Sequence, residues 1–294
     1  MTYTFGNTDI PLVMGEGLDV SRKRANPPAF PQQMTTPIEV CVLYRMKRRS
    51  SRRTRRKMRG GGLGKKYVFY HIFCNKSTLE VVRDQTTKII FSGLYDAVDT
   101  IYCFLAGDQE FVGTVKTFIE NLPSKFKIQK VGIGDKSQER FTIEQIDSLV
   151  TNEDVFLYMH SKGVSRSPGP ITGFEPVYLW RTYMEYNLIR HHEACVKLLA
   201  SHDIVGSIYK EKQIGPHFSG NFWWSTGSYF KKVASKHKIN DFYPDAEKFI
   251  FKEAPRAYKF DGQRIPNMEC FYRNPYHLKE YVDDNENFPG LHHK

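Results

Sequence analysis

The chain has 294 residues, 40% of them hydrophobic and 14% aromatic, with a formal net charge of +11. This supplies a sizeable core, in one large domain or two small ones. No apolar run approaches the roughly 20 residues needed to cross a bilayer, so no transmembrane segment is expected.

The N-terminus, MTYTFGNTDIPLVMGEG, lacks the basic-then-apolar layout of a secretory signal. The five cysteines, Cys41, Cys74, Cys103, Cys195 and Cys270, are scattered and form no Cys-x-x-Cys pair. They read as reduced thiols in a cytoplasmic setting, with no zinc site. Residues 1–44 carry Pro27, Pro28, Pro31 and Pro37 and little periodicity, with IEVCVLY (38–44) a short strand candidate. Residues 45–66 hold twelve Lys or Arg and no acid, and without them 31 basic residues face 32 acidic ones. The excess charge is thus local. Its Arg, Ser and Gly content cannot build a core, so residues 1–66 are expected to be a largely disordered, solvated region preceding a domain over 67–294. Such a segment could hold an anionic partner, either nucleic acid or a lipid surface.

From Tyr67 strand and helix patterns alternate. Strands are expected at 67–74, 100–107, 126–134 and 154–159, and helices at 78–98, 111–122 and 139–150. This alternation implies right-handed crossovers and a mainly parallel, Rossmann-like α/β sheet with helices on both faces. The order then breaks. Residues 178–202 form one long helix candidate, and 203–209 a further strand. Residues 214–233 mix turn residues with aromatics, and 244–252 open with a helix start.

The strand DVFLYM (154–159) ends in His160, Ser161, Lys162 and Gly163. Ligands of such sheets bind beyond the carboxyl ends of the strands, which favours a ligand role over a merely wet strand end. In GNFWW (220–224), Gly220 and Asn221 read as a turn, beside Trp223 and Trp224. Trp is highly buried on average, and adjacent strand residues face opposite ways. One of the pair is therefore expected in the core and one in a cleft. In PDAEKFIFK, Asp245 reads as a cap and Glu247 as a first-turn acid. Either could instead be a general base.

YMHSKGVS, HFSGNFWWS and YPDAEKFIF, taken in order, resemble a glycosyltransferase-like group of bacteria and large DNA viruses with the glycosyltransferase A fold of nucleotide-diphospho-sugar transferases. The resemblance spans about residues 67–275. It implies transfer of a sugar from a nucleotide-sugar donor to a hydroxyl of a glycan or glycoprotein, with inversion, and a viral setting would place the chain in the host cytoplasm. It also implies a donor site at Phe73, Cys74, Asn75, His160, Ser161, Lys162 and Gly163. Trp180, Arg181, His217, Asn221, Trp223 and Trp224 would form the sugar or acceptor site, and Asp245 or Glu247 the catalytic base, with Asp245 slightly favoured because a cap projects from the helix end. Enzymes of this fold usually carry an Asp-x-Asp that holds Mn²⁺ or Mg²⁺ where this chain has His160-Ser161-Lys162. Lys162 is therefore expected to take over part of the metal's role as a point charge, with no cofactor required and a divalent metal the open alternative. Two rival readings stand beside it: a catalytically inactive sugar-binding module, and a nucleic-acid-binding protein acting through residues 45–66. Donor binding is expected to depend weakly on divalent cations. Donor affinity abolished by EDTA and restored by Mn²⁺, measured by thermal shift, is the outcome that refutes this.

Overall fold

A computed structural model of the chain describes residues 64–134, 138–164, 174–211, 214–240 and 244–260. Strand β1 (Lys66–Cys74) leads through α1 (Thr78–Phe91) and the short α2 (Leu94–Ala97) to β2 (Thr100–Gly107). Helix α3 (Gln109–Glu120), β3 (Phe126–Ile133), α4 (Arg140–Leu149) and β4 (Val155–His160) follow. Then come α5 (Phe174–Glu185), a π turn at Tyr186–Arg190, and α6 (His192–Leu198). The last part holds β5 (Ile204–Gly206), β6 (Tyr209–Lys210), β7 (His217–Phe218), β8 (Trp223–Thr226), α7 (Gly227–Lys236), α8 (Asp245–Lys248), a 3₁₀ turn at Phe249–Phe251 and β9 (Ala257–Lys259).

Seven strands form one sheet in the order β3-β2-β1-β4-β8-β5-β9, and β6 and β7 form a separate antiparallel ribbon. The fold is α/β, with a mostly parallel sheet. β1 pairs in parallel with both β2 and β4, and β3 in parallel with β2. β8 runs antiparallel to β4 and to β5. The chain therefore winds outward from β1 to β3, then returns to place β4 on β1's other side. Between β1 and β4 the order reverses, which creates a crevice beyond their carboxyl ends.

Central strands covered on both faces need apolar residues at successive positions. In β1, Tyr67, Val68, Phe69, Tyr70, Ile72 and Cys74 are all buried. Tyr67 and Phe69 pack with Phe156, Trp223, Phe230, Ile143 and Ile146 on the face covered by α4 and α7. On the opposite face, the Tyr70 hydroxyl donates to Gln85 of α1. Helix α3 buries Val112, Val115, Phe118 and Ile119, the spacing of a single apolar stripe. β3 is an edge strand and carries the exposed Val131 and Ile133.

The expected helix at 78–98 divides at Gly93, whose left-handed φ of 87° redirects the chain into α2. The long helix expected over 178–202 is interrupted by the π turn, where the Leu188 carbonyl accepts from Trp224 Nε1 at 2.9 Å. Most of the N-terminal region, including IEVCVLY and the basic run up to residue 63, lies outside the described residues, as do Cys41 and Cys270.

The residues just ahead of Tyr67 are tied into the fold. Gly64 N–H donates to the Glu153 carbonyl at 2.8 Å, Lys65 N–H to Asp154 Oδ1 at 2.7 Å, and Lys66 N–H to Asp99 Oδ2 at 2.8 Å. Asp154 is buried, so loss of a donor leaves a carboxylate oxygen unsatisfied. A chain beginning at Tyr67 should be less stable than one beginning at Gly64 by on the order of 2–4 kcal/mol. Equal melting temperatures for the two truncations would refute this.

Candidate functional site

The crevice between the ends of β1 and β4 is built by three consecutive residues ahead of β8. Gly220, with φ of 90°, and Asn221, with φ of 53°, turn the chain sharply. Asn tolerates the left-handed region better than most residues, and a Cβ at Gly220 would lie 2.6 Å from Met184 Sδ. The Ser219 carbonyl accepts from Trp180 Nε1 at 3.3 Å, and the Gly220 carbonyl accepts from His160 Nε2 at 2.8 Å. Asn221 donates through Nδ2 to Glu139 Oε2 and accepts Trp223 Nε1–H at 2.7 Å.

Glu139, at the start of α4, was not singled out from the sequence, where it is one acid among many. Its Oε2 also accepts the Tyr158 hydroxyl at 3.0 Å. Its Oε1 lies 3.7 Å from His160 Nε2, but the two do not form an ion pair. Burial, reinforced by the nearby Lys162 cation, lowers the His160 pKa to about 3. The ring is therefore neutral, and its N–H serves Gly220. His71, level with His160 across the β1–β4 pairing, is also buried, and its pKa falls to about 4. It contacts Thr142 Oγ1 through Nδ1 at 2.9 Å.

Lys162 stands just past β4, with its Nζ 3.8 Å from the centroid of the Trp180 ring. It also acts electrostatically on His160 and on Glu247. Gly163 has φ of 97°, and a Cβ there would sit 3.1 Å from Val177 Cγ1. Its lack of a side chain serves the turn and the packing of α5. Ser161 is buried: its Oγ accepts Phe73 N–H at 2.9 Å, and its own N–H donates to the His71 carbonyl at 2.9 Å. It stitches β1 to β4. Asn75 bridges the same two strand ends, donating from Nδ2 to the Val164 carbonyl at 2.8 Å and accepting Ser77 N–H at 2.9 Å.

Glu247 on α8 is drawn into the same cluster. Burial raises its pKa and Glu139 raises it further, while Lys162, His217 and Lys210 pull it back down. His217, buried on β7, contacts the Gly215 carbonyl through Nδ1 at 2.7 Å, which leaves Nε2 on the other edge of the ring. Lys210 on β6 has its pKa lowered, chiefly by burial. Glu247 is thus within electrostatic reach of one carboxylate, two ammonium groups and an imidazole.

Several expected site residues are placed elsewhere. Trp223 and Trp224 are both fully buried, on opposite faces of β8, and each ring N–H is satisfied inside the protein. Neither lines the cleft, because β8 is covered on both faces. Asn221 is also fully buried and is spent on Glu139 and Trp223. Cys74 is fully buried, and burial pushes its thiol up to about 12. Arg181 is buried too: its guanidinium donates to the Lys162 carbonyl at 3.0 Å and to Asp84 Oδ2 at 3.0 Å, and lies 3.2 Å from Glu185. It braces the Lys162 turn instead of facing an acceptor. Asp245 accepts Asn240 N–H at 2.7 Å and the Lys252 ammonium at 3.0 Å, contacts that hold its pKa low despite burial. It pins α8 to its neighbours. Phe73 lies near the end of β1, and Trp180 lies against Lys162.

A divalent metal does not fit the end of β4. His160 presents a donated N–H, Ser161 is enclosed, and Lys162 is a cation. Among the described residues, no group of three or more His, Cys, Asp or Glu is placed to hold a metal ion. No helix among them is long and apolar enough to cross a membrane.

A family model described as a domain of unknown function, DUF8361, matches residues 69–270. The chain belongs to the DUF8361 family. The match runs from within β1 to beyond β9, so it takes in all but the first residues of the seven-stranded sheet. No curated protein matches the chain. Among solved structures it is similar to a homologue, from Mycobacterium sp. strain JC1, of Mycobacterium tuberculosis rv0371c. That comparison has 9% identity and a TM-score of 0.37, covering 67% of this chain and 84% of the other. It is also similar to the 4-diphosphocytidyl-2C-methyl-D-erythritol synthase of Anaerococcus prevotii DSM 20548. Here identity is 11% and the TM-score 0.35, covering 70% of this chain and 93% of the other.

The two buried imidazoles dictate an acid response. In the unfolded chain each takes a proton near pH 6.5, whereas in the fold each stays neutral down to about 3 or 4. Folded pKa values below the unfolded ones mean stability that is present above about pH 6.5 and is lost as pH falls towards 4. Replacing His160 with Gln should make the decline of unfolding free energy between pH 6 and 4.5 shallower by about one proton, or ~1.4 kcal/mol per pH unit. Denaturant titrations at each pH measure this, and an unchanged slope would refute a neutral His160.

Proposed function

We propose that the DUF8361 crevice binds a nucleoside-diphosphate sugar and transfers the glycosyl group, with inversion, to a hydroxyl of a glycan or glycoprotein. The observation that carries this reading is Glu247. It is a first-turn carboxylate of α8, with its pKa raised by burial and by Glu139 and with Lys162 within electrostatic range. A general base works best when its pKa is moved towards the operating pH. In the proposed step Glu247 accepts the proton of the acceptor hydroxyl while that oxygen bonds the anomeric carbon. The bond from the anomeric carbon to the diphosphate oxygen breaks, and its electron pair leaves with the nucleoside diphosphate. The Lys162 ammonium offsets the charge that accumulates on the leaving group. Phe73 and Asn75, at the end of β1, would flank the nucleotide.

The assay incubates the full chain with UDP-, GDP-, CDP- and dTDP-sugars and measures release of the nucleoside diphosphate. Turnover should climb with pH through an acid limb shifted upward from that of an unperturbed glutamate, because Glu247 must be ionised to act. Glu247→Gln should lower turnover by about 10²–10⁴-fold while leaving donor affinity nearly unchanged. Its melting temperature should hold or rise, since the substitution removes a half-buried charge. Turnover that survives in Glu247→Gln would sink the base assignment. Lys162→Met should weaken donor binding by on the order of 1.5–3 kcal/mol. Lys162→Arg should recover only part of that loss, because a planar fork does not match a compact ammonium. Donor binding without release would instead indicate a sugar-binding module. Steeply salt-dependent RNA or DNA binding, lost on deletion of residues 45–63, would indicate the nucleic-acid reading.

A further inference from the structure

The ribbon of β6 and β7 carries two groups that the proposed transfer step leaves unused. Lys210 and His217 stand directly opposite each other in the β6–β7 pairing, so their side chains share one face of the ribbon. Helix α8 packs against β7, and Glu247 in its first turn is within electrostatic reach of both. Unlike Asp245 and Asn221, these three groups are unspent. Lys210 and Glu247 carry opposite charges, yet neither makes a hydrogen bond or an ion pair among the described residues. His217 is only 3% exposed, and its Nδ1 is engaged by the Gly215 carbonyl at 2.7 Å. Its Nε2 has no hydrogen-bond partner among the described residues, and it is not sealed from solvent as Thr182 Oγ1 and Ser207 Oγ are. Buried polar groups are ordinarily paired. A buried imidazole with one edge bound and the other open, beside an ammonium and a carboxylate that do not close on each other, points to a ligand held among the three.

The donor and acceptor capacities of the three groups define that ligand. A ring nitrogen that meets a carbonyl oxygen carries the proton, so in the neutral His217 ring Nε2 can only accept. An ionised Glu247 also only accepts, and the Lys210 ammonium only donates. A lone hydroxyl brings one proton and satisfies one of the two acceptors. Two neighbouring hydroxyls of a sugar ring satisfy both, and their oxygens can accept from the ammonium. We infer that Lys210, His217 and Glu247 form the acceptor subsite and that it takes a vicinal diol of a pyranose, one hydroxyl donating to Glu247 and its neighbour to His217 Nε2. The inference rests on the transferase reading above and narrows its acceptor from a hydroxyl of a glycan or glycoprotein to a glycan. A serine or threonine side chain brings a single hydroxyl and leaves Nε2 unpaired on a buried ring. A site built to hydrogen-bond a hydroxyl discriminates strongly against a substrate that lacks it.

The test uses the full chain with the nucleotide sugar that releases its diphosphate in the assay above, at about pH 8, where imidazoles are ordinarily neutral. The acceptors are methyl glucoside, methyl galactoside and methyl mannoside, the monodeoxy forms of the best of them, and N-acetylserinamide and N-acetylthreoninamide. Transfer should go to a pyranoside and not to the two amides. Removing one ring hydroxyl should abolish transfer, and removing a hydroxyl next to it should lower kcat/KM by about tenfold or more. In His217→Phe, which keeps a ring in the buried position, loss of that neighbouring hydroxyl should no longer matter, while the KM for the donor stays as in the wild type. His217→Gln, whose amide oxygen can accept, should restore part of the discrimination. Transfer to the amides as fast as to any pyranoside overturns the inference while the transferase reading stands. So does a neighbouring hydroxyl whose removal costs the wild type nothing, a discrimination unchanged in His217→Phe, or release of the diphosphate without transfer to any acceptor sugar. No release of nucleoside diphosphate from any donor overturns both.

Discussion

The site depends on one short turn whose backbone carbonyls and amide side chain are all engaged. Ser219 receives the Trp180 indole, Gly220 receives the His160 imidazole, and Asn221 ties Glu139 to Trp223. These bonds draw together α5, the end of β4, the start of α4 and β8, elements that lie far apart in sequence. Two successive residues with positive φ make the turn tight enough to do this. The arrangement also constrains protonation. His160 can donate to Gly220 as a neutral ring, and its burial keeps it neutral. A protonated ring there would have to hold its charge beside Lys162 in a dry pocket. The geometry of the crevice and the charge state of its floor are therefore set together.

The first half of the fold was legible because its elements carry strong periodicity. The strand expected at 100–107 is β2 residue for residue, and the strand expected at 154–159 matches β4 to within one residue. The second half was less legible. β8 is only four residues long and is buried on both faces, so its sequence WWST shows no alternation. The helix over 178–202 is broken by a π turn that no proline or glycine announces. Part of the site was legible too: strand-end logic pointed to His160–Gly163, and acids at a helix start pointed to Asp245 and Glu247. What sequence could not separate was which groups are spent on structure. Asp245 and Glu247 are two residues apart, yet one is held by Lys252 and the other is within electrostatic reach of Glu139 and Lys162. Glu139 was missed because its importance comes from Asn221, 82 residues away. A buried Asn has to give its amide hydrogens to something, and that requirement was the available signal.

Beneath Lys162 lies a second polar network that carries no chemistry of its own. Lys88 pairs with Glu185 and Arg181 with Asp84 across the sequence, while Lys88–Asp84 and Arg181–Glu185 pair one turn apart on their own helices, all at 2.6–3.2 Å. Glu185 and Arg181 are almost fully enclosed. Breaking such a network strands a charge in low dielectric, whereas keeping it contributes little net stability. Its structural effect is geometric: it fixes α5 against α1 and holds the carbonyl of Lys162 in place.

The central position of β1 also sets a schedule for synthesis. Its near neighbour β2 follows after a single helical crossover, but its other neighbour, β4, is supplied by residues 88–89 positions downstream. At a ribosomal rate of about 5–20 residues per second, roughly 4–18 s separate the emergence of the two strands. Throughout that interval an almost wholly apolar strand has one hydrogen-bonding edge unpaired. The nascent chain is most exposed to aggregation in that window, and chaperone occupancy would matter most between the arrival of β2 and the arrival of β4.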